Sequence, residues 1–369
     1  MHFVDLKSQY RRYQAEIDAR LRRVLEHGQF ILGPEIAELE EALARFVGVR
    51  HALTVASGTD SLEIALRALG IGPGDEVITV PFTWISTAEV IALVGARPVF
   101  VDIEPDTYNI AVEQIEAAIT PRTRALLPVS LFGQMPDFDR INALAARHGL
   151  PVIEDAAQSF GATQRGRRSG GVTTIGSTSF FPAKPLGCYG DGGALFTNDE
   201  ALAERMRAIR THGGLERNHH PLLGMNGRFD TLQAAVLLAK LPHFEWELNV
   251  RRRLAARYTA ALDGLCITPA VAPGNTHVYA QYTIRVPDRD AVAARLKAAG
   301  IPTAVYYPKC LHEQPVFAGL GHRPGDFPVA EQAAREVLSL PLHPFLEAAD
   351  LDRIVDGLKS AFGVKPAVQ

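Results

Sequence analysis

The sequence has few cysteines, few lysines and no long apolar run. Its 369 residues contain three cysteines, which are far apart and form no C-x-x-C pair: Cys188, Cys266 and Cys310. This number and spacing argue against a disulfide framework and favour a reducing compartment. No apolar stretch is long enough to cross a bilayer, and the N-terminus has no signal-peptide pattern, so we expect a cytoplasmic protein.

The charge pattern argues against two further classes of function. The formal net charge of -3 gives no basic surface for nucleic acid, and we interpret the cluster at residues 251–253 as a solvated helical face. His219 and His220 have no acidic or cysteine partner at ligand spacing, so no metal site is expected. The glycine-rich residues 187–193 precede a predicted strand instead of opening a helix after one, which argues against a dinucleotide-binding loop.

The apolar periodicity predicts an α/β protein. Helices are expected over residues 11–26 and 35–46, and a long helical connector over 230–263. Short apolar strands alternate with helical stretches, which is typical of βαβ units with a mainly parallel sheet. These strands are predicted at residues 52–55, 76–80, 98–102, 125–130, 152–154 and 194–197. A smaller α+β part follows, with strands at 279–286 and 303–307 and helices at 290–299 and 349–362. We therefore predict a large domain over residues 1–245 and a small C-terminal domain over residues 246–369.

Lys184 stands out among only seven lysines. It lies between Pro182 and Pro185, with glycines just beyond, which is an unusual place for a solvating side chain. An apolar, turn-locked setting lowers the pKa of a lysine and suits an amine that forms a Schiff base. A loop lysine that lies near glycines by chance is the alternative interpretation.

Other candidate residues follow predicted strands. Asp155 stands at the carboxyl end of a buried strand, where open α/β sheets place ligand groups, although it could also be a helix N-cap. Gly58 and Thr59 stand at the start of a helix, whose free N–H groups can hold a phosphate. Ser179 is a second candidate for the same phosphate, or a turn serine.

Three more side chains are candidates for ligand contacts. Trp84 follows a strand end and could offer its face to an aromatic ring, or it could belong to the core. Asn226 and Arg228 lie in a polar stretch before the helical connector, and their side chains suit the anionic groups of a cofactor or substrate.

The order of these motifs resembles that of the fold type I pyridoxal-phosphate enzymes, which are aspartate aminotransferase-like. A more specific resemblance, over nearly the whole chain, is to the DegT-type nucleotide-sugar aminotransferases. It rests on residues 3–6, 30–35, 57–60, 154–159 and 179–187. Residues 189–193, 230–235 and 279–283 look most like members that act on UDP-2-acetamido-2-deoxy-3-oxo-D-glucuronate.

This resemblance implies a cofactor, a reaction and a set of roles. The cofactor is pyridoxal 5'-phosphate, L-glutamate is the amino donor, and the 3-amino sugar product serves surface polysaccharide or O-antigen (lipopolysaccharide) biosynthesis. Lys184 carries the cofactor, Asp155 pairs with its ring nitrogen, Gln158 contacts its ring oxygen side, and Gly58, Thr59 and Ser179 hold its phosphate. In a homodimer with shared sites, Asn226 and Arg228 reach into the partner's site, and Tyr307 lines the sugar pocket.

Two departures and several alternatives remain. Relatives often have histidine where this chain has Tyr306, which puts the identity of the sugar in doubt, and Cys310 stands where a proline is common. The chain could act on a 4-oxo-6-deoxy nucleotide sugar, or bind the cofactor as a regulator without turnover, or be a scaffold with no cofactor. A family dehydratase is disfavoured, because those enzymes have histidine at the position of Lys184.

Overall fold

The computed structural model describes residues 1–363, and within them the chain forms twelve α-helices. They are α1 (Leu6–His27), α2 (Pro34–Val47), α3 (Gly58–Ala68), α4 (Ser86–Leu93), α5 (Val112–Ala118), α6 (Phe138–Arg147), α7 (Glu200–Arg210), α8 (Thr231–Lys240), α9 (Phe244–Ala261), α10 (Arg289–Ala298), α11 (Pro328–Glu336) and α12 (Ala348–Ala361). No helix in this range is both long and apolar enough to span a bilayer.

Eleven strands accompany these helices over the same residues. They are β1 (His51–Val55), β2 (Glu76–Thr79), β3 (Arg97–Phe100), β4 (Thr123–Leu126), β5 (Ile153–Asp155), β6 (Thr163–Gln164), β7 (Arg167–Arg168), β8 (Ile175–Ser179), β9 (Gly193–Thr197), β10 (Tyr282–Arg285) and β11 (Val337–Leu340).

Seven of these strands form the central layer. The orders β1-β9-β8-β5 and β3-β2-β4 are joined by parallel bridges from Leu126 to Val152 and from Val129 to Asp155. Only β9 runs antiparallel to its neighbours among these seven. The mainly parallel sheet predicted from the sequence is therefore confirmed. The carboxyl ends of its parallel strands meet at one edge, which is where such sheets bind ligands.

The first two helices begin and end at residues whose chemistry explains the boundaries. The side chain of Asp5 accepts a hydrogen bond from the backbone N–H of Ser8 and caps α1, which ends at Gly28 with a φ of 71°. Pro34 opens α2, where a residue without an N–H costs nothing. The predicted break between the two helices is confirmed.

The C-terminal part has its own apolar cluster. Strands β10 and β11 pair antiparallel. The helices α9, α10 and α12 and both strands contribute to this cluster, in which the rings of Tyr258 and Tyr282 lie 4.9 Å apart. The domain boundary at residue 246 stays a prediction, and residues 364–369 of the predicted C-terminal domain lie outside the described residues.

The predicted strand at residues 303–307 is wrong. Only Ala304 pairs there, through a single bridge to Ser339. Pro302 and Pro308 flank the segment and have no N–H to donate to a ladder, and Tyr307 is held by a side-chain contact instead.

Candidate active site

Two neighbouring parallel strands bring predicted site residues to the same edge of the sheet. Asp155 ends β5 and is in register with Ser177 of β8, which ends two residues later at Ser179. Helix α3 follows β1 and starts against this edge. A Cβ added to Gly58 would lie 2.6 Å from Cβ of Ser179, so only glycine allows this approach.

The start of α3 is a preformed anion cradle. Ser57 is the N-cap, and its Oγ accepts a hydrogen bond from the N–H of Asp60 at 3.0 Å. In the part of the chain that the structure describes, the N–H groups of Gly58 and Thr59 have no acceptor. These two donors, the helix dipole and Ser179 Oγ therefore surround a place that could hold a phosphate.

Asp155 is 5% exposed and is held by two donors. Its Oδ2 accepts from Thr87 Oγ1 at 2.8 Å, and its Oδ1 accepts from the N–H of Ala157 at 3.1 Å. Burial raises the pKa of Asp155, whereas these hydrogen bonds and the charge of Lys184 lower it. No helix starts at residues 156–160, so the alternative of a helix N-cap is wrong.

Lys184 lies in the loop between β8 and β9 and is half-buried. Its N–H donates to the carbonyl of Phe181 at 2.8 Å, which closes a turn around Pro182. Burial lowers the pKa of Lys184, and the charge of Asp155 opposes that shift. Among residues 1–363, no hydrogen bond or ion pair occupies Nζ. Within these residues the amine is therefore unpaired, and the charge of Asp155 acts on it.

Gln158 and Tyr307 form one wall of the same region. The Nε2 of Gln158 donates to the hydroxyl of Tyr307 at 3.0 Å, and its Oε1 accepts from the N–H of Phe132 at 2.9 Å. The ring of Trp84 lies 6.1 Å from that of Tyr307, and its side chain is 58% exposed, so it is not a core residue. Tyr306 is half-buried, with its ring 6.3 Å from that of Phe3.

Asn226 and Arg228 lie in a segment next to the cradle. Between them, the carbonyl of Gly227 accepts from the N–H of Ala56 at 2.9 Å, which ties this segment to the chain just before α3. Asn226 is exposed, whereas the Nε of Arg228 is buried without a hydrogen-bond partner in residues 1–363. Within one chain these two residues thus lie beside the cradle, and their predicted reach into a second subunit stays a prediction.

The sequence reasoning missed two residues that shape the site. Thr87 at the start of α4 holds Asp155 and is itself 3.2 Å from Thr83 Oγ1. Glu154 is fully buried and accepts from Ser130, Ser169 and the N–H of Gly170. A hydroxyl at the start of a helix that follows a strand is the signal that could have marked Thr87. No cluster of His, Cys, Asp or Glu that could hold a metal ion occurs in residues 1–363.

Comparisons with known proteins agree on one family. The model of the DegT/DnrJ/EryC1/StrS aminotransferase family matches residues 11–359. A relative from Pseudomonas aeruginosa, named UDP-2-acetamido-2-deoxy-3-oxo-D-glucuronate aminotransferase, is 54% identical over 97% of this chain and 99% of its own. A relative from Geobacillus stearothermophilus, named pleiotropic regulatory protein, is 48% identical over 96% of each chain.

A solved structure extends the comparison to the fold. The crystal structure of NtdA from Bacillus subtilis with bound cofactor PMP has a TM-score of 0.90 and 32% identity, and the match covers 98% of this chain and 83% of that one. The fold type I architecture expected from the sequence is thus confirmed.

Proposed function

Since the chain belongs to the DegT/DnrJ/EryC1/StrS aminotransferase family, we propose that it transfers an amino group from L-glutamate to a keto nucleotide sugar, with pyridoxal 5'-phosphate as cofactor. The proposed acceptor is UDP-2-acetamido-2-deoxy-3-oxo-D-glucuronate, which becomes the 3-amino sugar for surface polysaccharide. The observation that carries the proposal is an anion cradle next to a buried aspartate, whose charge acts on a half-buried lysine.

The residues at the edge of the sheet fit this cofactor. The phosphate would be held by Gly58, Thr59 and Ser179, where two N–H groups lack acceptors among residues 1–363 and a Cβ would fill the space. Asp155 supplies a carboxylate for the ring nitrogen, and Trp84 and Gln158 flank the same region. When bound, pyridoxal phosphate supplies an electron sink for the carbanion chemistry of transamination.

Lys184 is the proposed acid and base. Burial lowers the pKa of its amine, which favours the neutral form that can attack a carbonyl and accept a proton. Its Nζ removes the proton from the α-carbon of glutamate in the first half-reaction. In the second half-reaction the same nitrogen delivers a proton to the sugar carbon that receives the amino group. One side chain thus serves both directions of a ping-pong reaction.

Further residues are needed to bind the carboxylates of glutamate and the nucleotide sugar. Tyr307 accepts a hydrogen bond from Gln158, and the ring of Tyr306 lies 5.8 Å from that of Tyr307. Both tyrosines are proposed to line the sugar pocket. Arg228 has a buried nitrogen without a hydrogen-bond partner in the described part of the chain, and it is proposed to bind an anionic substrate group. We further propose a homodimer in which Asn226 and Arg228 serve the partner's site, two domains that meet near residue 246, and a cytoplasmic location.

The half-reaction with glutamate tests the proposal. Protein loaded with pyridoxal phosphate should lose its visible absorbance when L-glutamate is added and form one 2-oxoglutarate per site. Steady-state assays with the 3-oxo uronate and with a 4-oxo-6-deoxy nucleotide sugar then separate the two acceptors. Turnover only with the 4-oxo sugar would contradict the proposed substrate but not the aminotransferase activity.

A regulator without turnover is the second candidate, because one relative bears the name of a regulatory protein. It predicts a protein that binds the cofactor and keeps its visible absorbance in the presence of glutamate.

A further inference from the structure

The loop that carries Lys184 is held from outside by two side chains of α8. The Nζ of Lys240 donates to the carbonyl of Gly187 at 2.7 Å. The Oε1 of Gln233, two turns earlier, accepts from the N–H of Tyr189 at 2.7 Å. Lys240 Nζ also lies 4.1 Å from the centroid of the Tyr189 ring. Helix α8 thus contacts the loop at Gly187 and Tyr189, which flank Cys188.

Lys240 is an unusual residue for a purely structural contact. The residue is 2% exposed, and burial lowers its pKa to about 8, although the charge of Glu247 opposes this shift. Within residues 1–363, Gly187 accepts the only hydrogen bond that Nζ donates. A buried ammonium with so few partners contributes little to stability, because its desolvation offsets its contacts.

Close packing inside the loop connects these contacts with α8 to the turn that holds Lys184. A Cβ on Gly187 would lie 2.4 Å from the carbonyl oxygen of Pro182, two residues before Lys184. The N–H of Cys188 donates to the carbonyl of Phe180 at 2.8 Å, so the loop folds back on its own start. A shift of Gly187 would therefore move the turn that presents Lys184.

We propose that Lys240 and Gln233 are positioning residues that fix the Lys184 loop, and thereby the orientation of the Lys184 amine toward the cofactor. This inference rests on the proposed function. It assigns to α8 a role in the reaction that the hydrogen bonds of Lys184 do not reveal, since among residues 1–363 neither side chain forms a hydrogen bond with Lys184.

The test compares four variants of the cofactor-loaded protein. Lys240→Met removes the donor and the charge at similar length, Lys240→Gln keeps a donor, and Gln233→Leu removes the acceptor for Tyr189. The matched control is Lys297→Met, an exposed lysine of α10. Three quantities are measured: the pH midpoint of the visible absorbance of the bound cofactor, the rate of the glutamate half-reaction, and Tm.

We expect Lys240→Met to shift the midpoint and to slow the half-reaction about 10- to 100-fold, with Tm unchanged or higher. Gln233→Leu should change the midpoint and the rate in the same direction as Lys240→Met. The values for Lys240→Gln should lie between those of Lys240→Met and wild type. The control Lys297→Met should have wild-type values. Wild-type midpoints and rates in Lys240→Met and Gln233→Leu would overturn the inference.

If Lys240→Met does not fold, Gln233→Leu decides by the same two readouts. A wild-type protein that binds no cofactor, or does not react with glutamate, would contradict the proposed function instead. If the wild type is active and the variants have its midpoint and its rate, only the positioning role is contradicted.

Discussion

Replacing Thr87 with valine should weaken cofactor binding without changing the shape of the site. Thr87 and Asp155 are both buried, and the hydroxyl donates to Oδ2 of the carboxylate at 2.8 Å. Valine has nearly the same volume, so the substitution removes the donor and leaves no cavity. A hydrogen bond to a charged, buried acceptor contributes about 1.5–3 kcal/mol, and its loss leaves the carboxylate less well solvated.

The effect on function follows from the ionised state of Asp155. The hydrogen bond from Thr87 lowers the pKa of this carboxyl, so its removal raises that pKa and disfavours the carboxylate. Cofactor binding that depends on the carboxylate should weaken by about 10- to 150-fold. This ratio corresponds to the loss of about 1.5–3 kcal/mol given above. The acid limb of kcat/KM for glutamate should move to higher pH.

Fluorescence titration of the apoprotein with pyridoxamine phosphate measures the first effect, and stopped-flow absorbance across pH measures the second. Thr87→Ser keeps a hydroxyl and should restore most of the affinity. The matched control is Thr83→Val, which removes the neighbouring hydroxyl. That hydroxyl lies 3.2 Å from Thr87 Oγ1 and, among residues 1–363, forms no hydrogen bond with Asp155. If Thr87→Val has the affinity and the pH profile of Thr83→Val, the argument that Thr87 supports Asp155 is refuted.

Three other substitutions test the cradle, the amine and the pocket. Lys184→Ala should lower kcat by about 10³-fold or more while the fold survives, and an alanine variant with measurable turnover near wild type would contradict its role. Gly58→Ala places a Cβ 2.6 Å from Cβ of Ser179 and should weaken cofactor binding about tenfold or more in an absorbance titration. Gly319→Ala should not, because no neighbouring atom of residues 1–363 lies within 4 Å of the added Cβ. Tyr306→Phe should raise KM for the sugar about 2- to 10-fold and leave the glutamate half-reaction unchanged, and an equal loss in both would argue against a sugar contact.

The sequence predicted the sheet well where strands are apolar and poorly where they are polar. Strand β8 was missed because it reads Ile-Gly-Ser-Thr-Ser, without an apolar run. Its small residues fit a crowded centre: a Cβ on Gly176 would lie 2.2 Å from the carbonyl oxygen of Gly170, and Thr178 Oγ1 donates to the carbonyl of Ala156 at 3.1 Å. Packing of this kind joins distant parts of the chain and leaves no periodic signal.

In the candidate site, too, local features were predictable from the sequence and contacts between distant residues were not. Asp155, Gly58 and Lys184 were recognisable because each stands at a strand end, a helix start or a proline-bound turn. The contact between Thr87 and Asp155 joins residues 68 positions apart, and that between Gln158 and Tyr307 joins residues 149 apart. Such pairs arise from the path of the whole chain, so spacing alone could not predict them.

The position of the transferred nitrogen tests the central claim most directly. The protein is incubated with pyridoxal phosphate, ¹⁵N-labelled L-glutamate and UDP-2-acetamido-2-deoxy-3-oxo-D-glucuronate, and the product is analysed by ¹H–¹⁵N NMR. We predict a labelled amine on C3 of the sugar and an equal amount of 2-oxoglutarate, both abolished in Lys184→Ala. An unlabelled uronate from active, cofactor-loaded protein would contradict the account, as would label at C4 in a parallel incubation with a 4-oxo-6-deoxy nucleotide sugar and none at C3 here.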